Sequence, residues 1–254
     1  MINIKKCEEI FDQYVKNYDF NNRKIYLKYY HTYRVANFCE EIAKSLNLSS
    51  DDILLAKLIG MLHDIGRFEQ IRIYNTYNDL VSVDHANLGV EVLLENNFID
   101  KFIENNADKE IVLKAVSNHN KFAIEDNLDE RTEMFCKIIR DADKLDIIEI
   151  FVNQTLIIEE NAGEISLKVM NSLEQNETVK NIDVTSKLDD YLQKVALIYD
   201  FNYGYSINHI YSKKLITNLI DIIIERNQQA KEKLIIVKEI VNRYLIFRLE
   251  EIKC

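Results

Sequence analysis

Apolar residues recur three and four positions apart along most of the chain, which is the spacing of a single buried face on an α-helix. The clearest such series comprises Leu54, Leu58, Met61, Leu62 and Ile65. It predicts an amphipathic helix that ends near His63. The polar residues SSDD at 49–52 supply an N-cap and acidic side chains for the first turn of this helix.

The same periodicity predicts further helices of about 12 to 18 residues. It runs through the segments TYRVANFCEEIAKSL, NLGVEVLLENNF, KEIVLKAVSNHN and RTEMFCKIIRDADKL. The alternation that is typical of a strand is not sustained anywhere in the sequence. The chain also has no proline and only five glycines, the two residues that most often interrupt helices. These observations predict an all-α fold.

The C-terminal part of the chain contains a polar stretch, NSLEQNETVKNIDVTSK at residues 171–187. Three helical patterns follow it, and the last ends in LIIVKEIVNRYLIFRLEEI. The polar stretch fits a loop between subdomains, but no linker rich in proline or glycine marks a domain boundary. With 254 residues, of which 47% are apolar, the chain can fill a substantial core. We therefore expect a single domain over residues 1–254.

The charge balance limits the kind of ligand. The chain has a formal net charge of −10 and no cluster of lysine and arginine of the kind that follows a phosphate backbone. A nucleic acid polymer is therefore not an expected partner. A few local positive charges can still hold a small anion.

Two features bear on the location of the protein. The most apolar C-terminal segment, LITNLIDIIIERN, is interrupted by Asn218, Asp221 and Glu225, well short of the roughly 20 apolar residues that a membrane span requires. The cysteines show no metal-type spacing, and nothing near Met1 resembles a secretion signal. We expect a cytoplasmic protein with no membrane partner. The cysteines are Cys7, Cys39, Cys136 and Cys254.

Histidine is rare in this sequence, and the order of its occurrences is informative. The five histidines are His31, His63, His85, His119 and His209. Taken singly, each fits a hydrogen-bonded structural histidine better than a metal ligand. The first four, however, lie in the motifs HTYRV, LHDIGR, VDHANLG and VSNHN, and IIRDADKLD follows them. The fifth has no partner in this pattern, so we expect a structural or surface role for it.

These five motifs, in this order, resemble the HD-domain superfamily of metal-dependent phosphohydrolases over about residues 26–150. The resemblance implies an HD-domain-like helical bundle as the core, with additional C-terminal helices over about residues 151–254. It also implies a site for two metal ions. The implied ligands are His31, His63, Asp64, His85, His119 and Asp143.

The carboxylates have different expected roles. Neighbouring residues on a helix point about 100° apart, so at a helix end His63 can bind one ion while the two oxygens of Asp64 bridge to a second. Asp141 and Asp143 lie two positions apart and face different sides of a helix, so only one is expected to bind metal. The resemblance favours Asp143. It leaves Asp141 or Asp146 to orient a histidine.

Four imidazoles and two carboxylates suit Fe, Mn, Zn, Ni or Co better than Mg or Ca, which prefer shells of oxygen atoms. Two such ions about 3.5 to 4 Å apart can share and activate a water and stabilise phosphoryl oxygens. The predicted reaction is hydrolysis of a phosphate ester or phosphoanhydride by metal-activated hydroxide, with Asp64 at the centre. The predicted partner is a small phosphorylated molecule or nucleotide.

Three cations near the implied ligands are candidate catalytic residues that hold the phosphate. Arg34 lies three residues after His31 and therefore on the same helix face. Arg67 follows the His-Asp doublet, and Lys144 is next to Asp143. Each of them also fits an ordinary surface charge.

The segment RFEQIRIYNTYNDLVSVDH, residues 67–85, joins two helices that carry implied ligands. It lacks strong periodicity and contains the polar or aromatic residues Tyr74, Asn75 and Tyr77. It fits a lid or a base-stacking wall, and it equally fits a simple connecting loop. Arg72 in this segment and Lys121 are weaker candidates for phosphate binding.

Two other functions remain open at the level of sequence. Some proteins that resemble this family use a similar site with six ligands and two iron ions to activate oxygen, so a di-iron oxygenase is one alternative. The second is a non-catalytic module that binds a nucleotide or metal and regulates a partner. The intact ligand set argues against this second alternative, because a purely binding module does not need all six groups.

Overall fold

A computed structural model describes residues 2–153 and 158–253, and within them the secondary structure is helical, with no strand. The α-helices are α1 Ile4–Val15, α2 Arg23–Ser45, α3 Ser50–Leu62, α4 Ile65–Tyr74, α5 His85–Leu94, α6 Asn106–Asn118, α7 Glu130–Asn153, α8 Leu167–Glu174, α9 Lys187–Val195, α10 Gly204–Ser212, α11 Leu215–Arg226 and α12 Lys231–Lys253. The predicted all-α fold is confirmed. No described helix is both long and apolar enough to cross a membrane.

Asparagine ends several of these helices in place of glycine or proline. Asn47, Asn75 and Asn176 adopt left-handed backbone conformations at or just after the ends of α2, α4 and α8, with φ of 54°, 49° and 56°. Asparagine tolerates this conformation better than other residues with a side chain. Lys214, with φ of 52°, separates α10 from α11. The three helical patterns expected from residue 187 onward are consequently four α-helices.

The His-Asp doublet lies in the break between two helices. The predicted N-cap is present, because Ser49 Oγ accepts a hydrogen bond from the Asp52 backbone N–H at 3.1 Å. Helix α3 ends at Leu62 with His63 as its C-cap, as the periodicity predicted, and α4 begins at Ile65. Asp64 stands between them with φ of −106° and ψ of 18°.

The chain divides into two compact units, one up to Asp143 and one from Lys144 onward. In the first unit, two glycines allow helices to approach closely. A Cβ on Gly60 would lie 2.6 Å from Ala36 Cα, so the backbones of α3 and α2 are in contact. A Cβ on Gly66 would lie 2.4 Å from the carbonyl oxygen of His85, which brings α4 against α5. These contacts fix the helices that carry the doublet against those that carry His31 and His85.

The second unit has its own apolar core, to which α9, α10, α11 and α12 contribute fully buried residues including Leu188, Ile207, Leu219 and Val241. Two buried polar side chains hold its loops. Asp189 accepts hydrogen bonds from the backbone N–H groups of residues 166 and 185, and Asn227 Oδ1 accepts one from the N–H of residue 162. The predicted single domain with a core that ends near residue 150 stays a prediction.

Candidate metal centre

The first unit brings the six implied ligands together from five helices and one helix break. His31 lies in α2 and Asp143 in α7, whereas the others lie at helix ends. His63 and His119 are the C-caps of α3 and α6, and His85 is the first residue of α5. The four histidines and Asp64 are at most 4% exposed.

Three of these side chains form a compact first group of potential ligand atoms. His31 Nε2 and His63 Nε2 lie 3.3 Å apart, and each of them lies 3.3 Å from Asp64 Oδ2. Asp143 Oδ1 lies 3.2 Å from His31 Nε2 and 3.8 Å from His63 Nε2. Asp143 therefore faces this group with one carboxylate oxygen, and Asp141, two residues earlier on α7, is fully buried.

A second group uses the other oxygen of the same aspartate. His85 Nε2 and His119 Nε2 lie 3.0 Å apart. Asp64 Oδ1 lies 3.4 Å from the first of these nitrogens and 3.6 Å from the second. Asp64 thus presents one oxygen to each pair of histidines. Its predicted role as a bridge between two ions stays a prediction.

Hydrogen bonds on the far side of the rings determine which nitrogen faces the centre. His63 Nδ1 lies 2.7 Å from the Gly60 carbonyl oxygen, and His119 Nδ1 lies 2.7 Å from that of Val116. A carbonyl oxygen only accepts, so both Nδ1 atoms carry hydrogen and donate it. In the neutral ring, Nε2 then has a lone pair directed at the centre.

The charge on Asp64 is stabilised although the residue is buried. Burial by itself would raise the pKa of this carboxyl, but the Lys28 ammonium and the surrounding histidines hold the pKa well below its usual range. Lys28 Nζ donates to Asp64 Oδ2. Asp64 Oδ1 is buried and has no hydrogen-bond donor among the described residues. One oxygen of this ionised, buried carboxylate thus accepts no hydrogen bond within the described part of the chain, although the Arg67 guanidinium lies 3.6 Å away.

In both groups, the spacing and the chemistry of the facing atoms fit a metal ion. Ligand atoms held about 2.0 to 2.2 Å from a transition metal lie roughly 3.0 to 3.5 Å from one another, close to the spacings found here. The facing atoms are lone pairs and carboxylate oxygens, which repel one another unless a cation lies among them. Two groups of His and Asp atoms, which share Asp64, could each hold an ion.

Asp143 is also kept ionised in a partly exposed position. Its side chain is 20% exposed. Burial would raise the pKa of this carboxyl, but the adjacent His31 and His63 side chains and the Lys28 ammonium lower the pKa well below its usual range. Lys28 is likewise 20% exposed, so this is the side on which the centre opens to solvent.

Lys28 and Asp79 also lie at the centre, although neither belongs to the histidine motifs. Lys28 lies three residues before His31 on α2, so the face argument that identified Arg34 at i+3 applies equally at i−3. Asp79 accepts hydrogen bonds from His85 Nδ1 at 2.6 Å and from Arg67 Nη1 at 2.7 Å. No comparable sequence signal indicated Asp79, because a loop brings it to His85.

Two nitrogen atoms of Arg67 have different surroundings. Its Nη1 donates to the Tyr77 carbonyl oxygen and to Gln70 Oε1, each at 2.7 Å, as well as to Asp79. Its Nε is buried, lies 3.6 Å from Asp64 Oδ1 and has no acceptor among the described residues. Arg67 therefore holds residues 77–79 with one nitrogen and leaves another beside the centre.

The remaining candidates for phosphate binding, and Asp146, lie in different environments, and their proposed roles stay predictions. Arg34 is half-buried on α2. Lys144 Nζ lies 2.7 Å from Asp200 Oδ2 within the second unit. The weaker candidates Arg72 and Lys121 pair with Glu69 and Glu125. Asp146 is fully buried.

His209 belongs to the second unit, apart from the four histidines that are candidate ligands. Its Nε2 lies 2.8 Å from Glu149 Oε1. In the segment 67–85, Tyr74 and Asn75 are exposed, whereas Tyr77 is half-buried with Lys28 Nζ 5.8 Å from its ring centroid. The Tyr77 ring therefore forms part of the wall of the centre, next to the Lys28 ammonium.

Comparison with known proteins agrees with this geometry. Residues 29–148 match the model of the HD domain family. No curated protein and no solved structure matched the chain. The matched residues include all six of the implied ligands. Residues 29–148 of this chain therefore form an HD domain, the domain of a superfamily of metal-dependent hydrolases.

Proposed function

We propose that the protein is a phosphohydrolase that holds two divalent transition-metal ions and cleaves a phosphate ester or phosphoanhydride of a small molecule or nucleotide. One observation carries the proposal. Two pairs of imidazole Nε2 atoms, 3.3 Å and 3.0 Å apart, converge on the two oxygens of a single buried aspartate. In the second pair, Nδ1 of each ring donates to an oxygen atom, so in the neutral rings neither Nε2 carries a hydrogen to donate to the other.

The proposed ligands divide between the two ions. His31, His63 and Asp143 would hold the first, His85 and His119 would hold the second, and the carboxylate of Asp64 would offer one oxygen to each. Bound ions at such a site lower the pKa of coordinated water toward neutrality and stabilise charge on phosphoryl oxygens. The chain's own contribution is to fix the ligand atoms in advance, which the Nδ1 hydrogen bonds and the packed helices support.

Two cations beside the centre are proposed to bind the substrate. Lys28 is partly exposed, and once an ion shares the charge of Asp64 its ammonium is available to an anionic oxygen. Arg67 Nε lies beside Asp64 Oδ1 with no acceptor of its own, so it is a ready donor to a phosphoryl oxygen. Arg34 and Lys144 are kept as further proposed phosphate-binding residues.

The shape of the centre supports a small substrate. The opening is on the side of Lys28 and Asp143, where the half-buried ring of Tyr77 adds an apolar surface next to the cation. An aromatic ring beside a phosphate-binding ammonium suits a phosphorylated molecule with a flat or apolar group, such as a nucleotide. The net charge of −10 favours a small anion held locally over a polymer.

A substrate screen with defined metals tests the proposal. The metal-free protein is loaded separately with Mn, Fe, Zn, Ni or Co and assayed for phosphate release from nucleotides and simple phosphate esters. Bound metal is counted in parallel. We expect release with at least one metal, two ions per chain, and loss of both in Asp64→Ala. Phosphate release by a metal-free Asp64→Ala protein would contradict the proposed mechanism.

A further inference from the structure

We infer that Asp79 is a positioning residue that makes His85 a ligand and thereby determines whether the second group can hold an ion. The inference rests on the function proposed above, because it concerns the same centre. Asp79 begins a short 3-10 helix, Asp79–Val81, in the loop between α4 and α5, six residues before His85. Nothing in its sequence position distinguishes it from Asp84, the other acid of this loop.

The hydrogen bond between Asp79 and His85 sets the tautomer of the ring. Asp79 Oδ2 lies 2.6 Å from His85 Nδ1. An ionised carboxylate only accepts, so Nδ1 must carry the hydrogen and Nε2 keeps its lone pair. That lone pair is at the atom 3.0 Å from His119 Nε2 and 3.4 Å from Asp64 Oδ1.

The position of His85 in its helix explains why a side chain must supply the hydrogen-bond acceptor for its Nδ1. His63 and His119 sit at the C-terminal ends of α3 and α6, where the carbonyl three residues earlier is free to accept from Nδ1. His85 is the first residue of α5. The residue three positions before it is Ser82, in the loop, and offers no helical carbonyl. Asp79 supplies the missing acceptor.

The carboxylate of Asp79 is itself held in place by buried groups. Its Oδ1 accepts from Arg67 Nη1 at 2.7 Å and from Gln70 Nε2 at 2.8 Å. Gln70 is fully buried, and its amide also donates to Ser82 Oγ and to the backbone carbonyl of residue 83, each at 2.9 Å. The acceptor for His85 is thus in position before any ion binds.

The substitution Asp79→Asn tests this role because it reverses one hydrogen bond with little change of shape. The amide oxygen can still accept from Arg67, but the amide nitrogen only donates. Nδ1 of His85 would then have to accept, which places the hydrogen on Nε2 and blocks the ligand atom. We expect the affinity for the second ion to fall about 10- to 100-fold, while the affinity for the first stays near that of the wild type.

Asp84→Asn is the matched control. Asp84 is in the same loop and carries the same charge, but it caps α5 by accepting from the backbone N–H groups of Ala86 and Asn87. Asparagine is an equally good N-cap, so this variant removes the charge and keeps the structure. It should bind two ions as the wild type does.

Two measurements on the full chain decide the matter. Calorimetric titration with Zn²⁺ or Mn²⁺ alone, together with native mass spectrometry, gives the number of ions and their affinities. Long-range ¹H–¹⁵N NMR spectra of the metal-free protein give the tautomer of each of the five histidines. We expect hydrogen on Nδ1 of His85 in the wild type and on Nε2 in Asp79→Asn.

The outcomes separate this inference from the proposed function. Wild-type affinity for the second ion in Asp79→Asn, or in Asp79→Ala should the first variant fail to fold, would overturn the role of Asp79 alone. A wild-type protein that binds two ions but hydrolyses no phosphate compound would refute the proposed function and leave the role of Asp79 intact. A wild-type protein that binds at most one ion would overturn both.

Discussion

The Nε2 atoms of His85 and His119 lie 3.0 Å apart, although Nδ1 of each ring already faces an oxygen acceptor. Burial lowers the pKa of His85, which opposes the effect of Asp79 and favours the neutral ring. Two neutral rings with hydrogen on Nδ1 direct two lone pairs at one another. Helix packing holds this unfavourable contact in place, and a cation between the rings would convert it into a favourable one.

Metal binding should therefore stabilise the fold. With free metal at about 100 times Kd, each ion should add about 2.7 kcal/mol to the free energy of unfolding. We expect Tm to rise on addition of Zn²⁺ or Mn²⁺ and to return on chelation, measured by differential scanning calorimetry. His63→Ala should lose most of this response. His209→Ala, which replaces the histidine of the second unit, should keep it, and equal loss in both variants would contradict the assignment.

Lys28→Met should separate substrate binding from metal binding. The substitution keeps an apolar stem and removes the ammonium that donates to Asp64. We expect kcat/KM to fall by on the order of 2 kcal/mol in transition-state stabilisation. Affinity for the ions should be unchanged or higher, because Lys28 no longer competes for Asp64. Lys24→Met, one turn earlier on α2, is the control, and weaker metal binding in Lys28→Met would contradict the prediction.

Arg34→Ala should keep metal content near normal and reduce kcat/KM by on the order of 2 to 4 kcal/mol, as expected for a guanidinium that pairs with a phosphate held at the ions. Arg34→Lys should recover only part of the loss, since an ammonium lacks the planar fork. Steady-state kinetics on the best substrate and metal counting check this. Unchanged kinetics in Arg34→Ala would leave Lys28, Arg67 and Lys144 as the phosphate-binding candidates.

Gly66→Ala should disturb the second group of ligands and spare the first. Its Cβ would lie 2.4 Å from the His85 carbonyl oxygen and from Gly89 N, so α5 must move away. We expect a loss of about 1 to 3 kcal/mol in the free energy of unfolding, and at least tenfold weaker binding of the second ion. Gly204→Ala in the second unit is the control. Retention of both affinities in Gly66→Ala would contradict the prediction.

Glu149 should contribute stability that depends on pH. The hydrogen bond from His209, together with Lys213, lowers its pKa from the usual 4.5 to about 2. A carboxyl whose pKa is depressed by folding stabilises the protein above pH 4.5, and this contribution is lost as pH falls through about 2. Glu149→Gln should lower the free energy of unfolding at pH 6 by about 1 kcal/mol, because solvent screens these partly exposed ion pairs.

Urea unfolding of the wild type and Glu149→Gln at several pH values measures this contribution. The difference in free energy of unfolding between the two proteins should shrink steadily from about pH 5 to about pH 2.5, because Glu149 becomes protonated over this range. Glu239→Gln, at an exposed position of α12, is the control and should show no such trend. A difference that grows on acidification would have the wrong sign.

Much of the centre could be predicted from the sequence because it depends on local patterns. Apolar spacing indicated the helices, the N-cap at Ser49 and the end of α3 near His63. The order of the histidine motifs indicated the six residues that the structure brings together. Helix ends without glycine or proline were harder to predict, because asparagine and lysine also occur within helices and give a weaker sequence signal for the left-handed conformation that they adopt here.

The contacts that tune these ligands were decided by the tertiary structure. The residue types at positions 28, 64, 79 and 85 are evident in the sequence, but the pairing of Lys28 with Asp64 depends on how α2 crosses α3 at Gly60. The acceptor for His85 depends on a loop that Arg67 and Gln70 fold back onto α5. Sequence determined which groups can bind metal, and packing determined which of their atoms face the centre. The reason is that each ring is oriented by hydrogen-bond partners that lie close to it only in the folded chain.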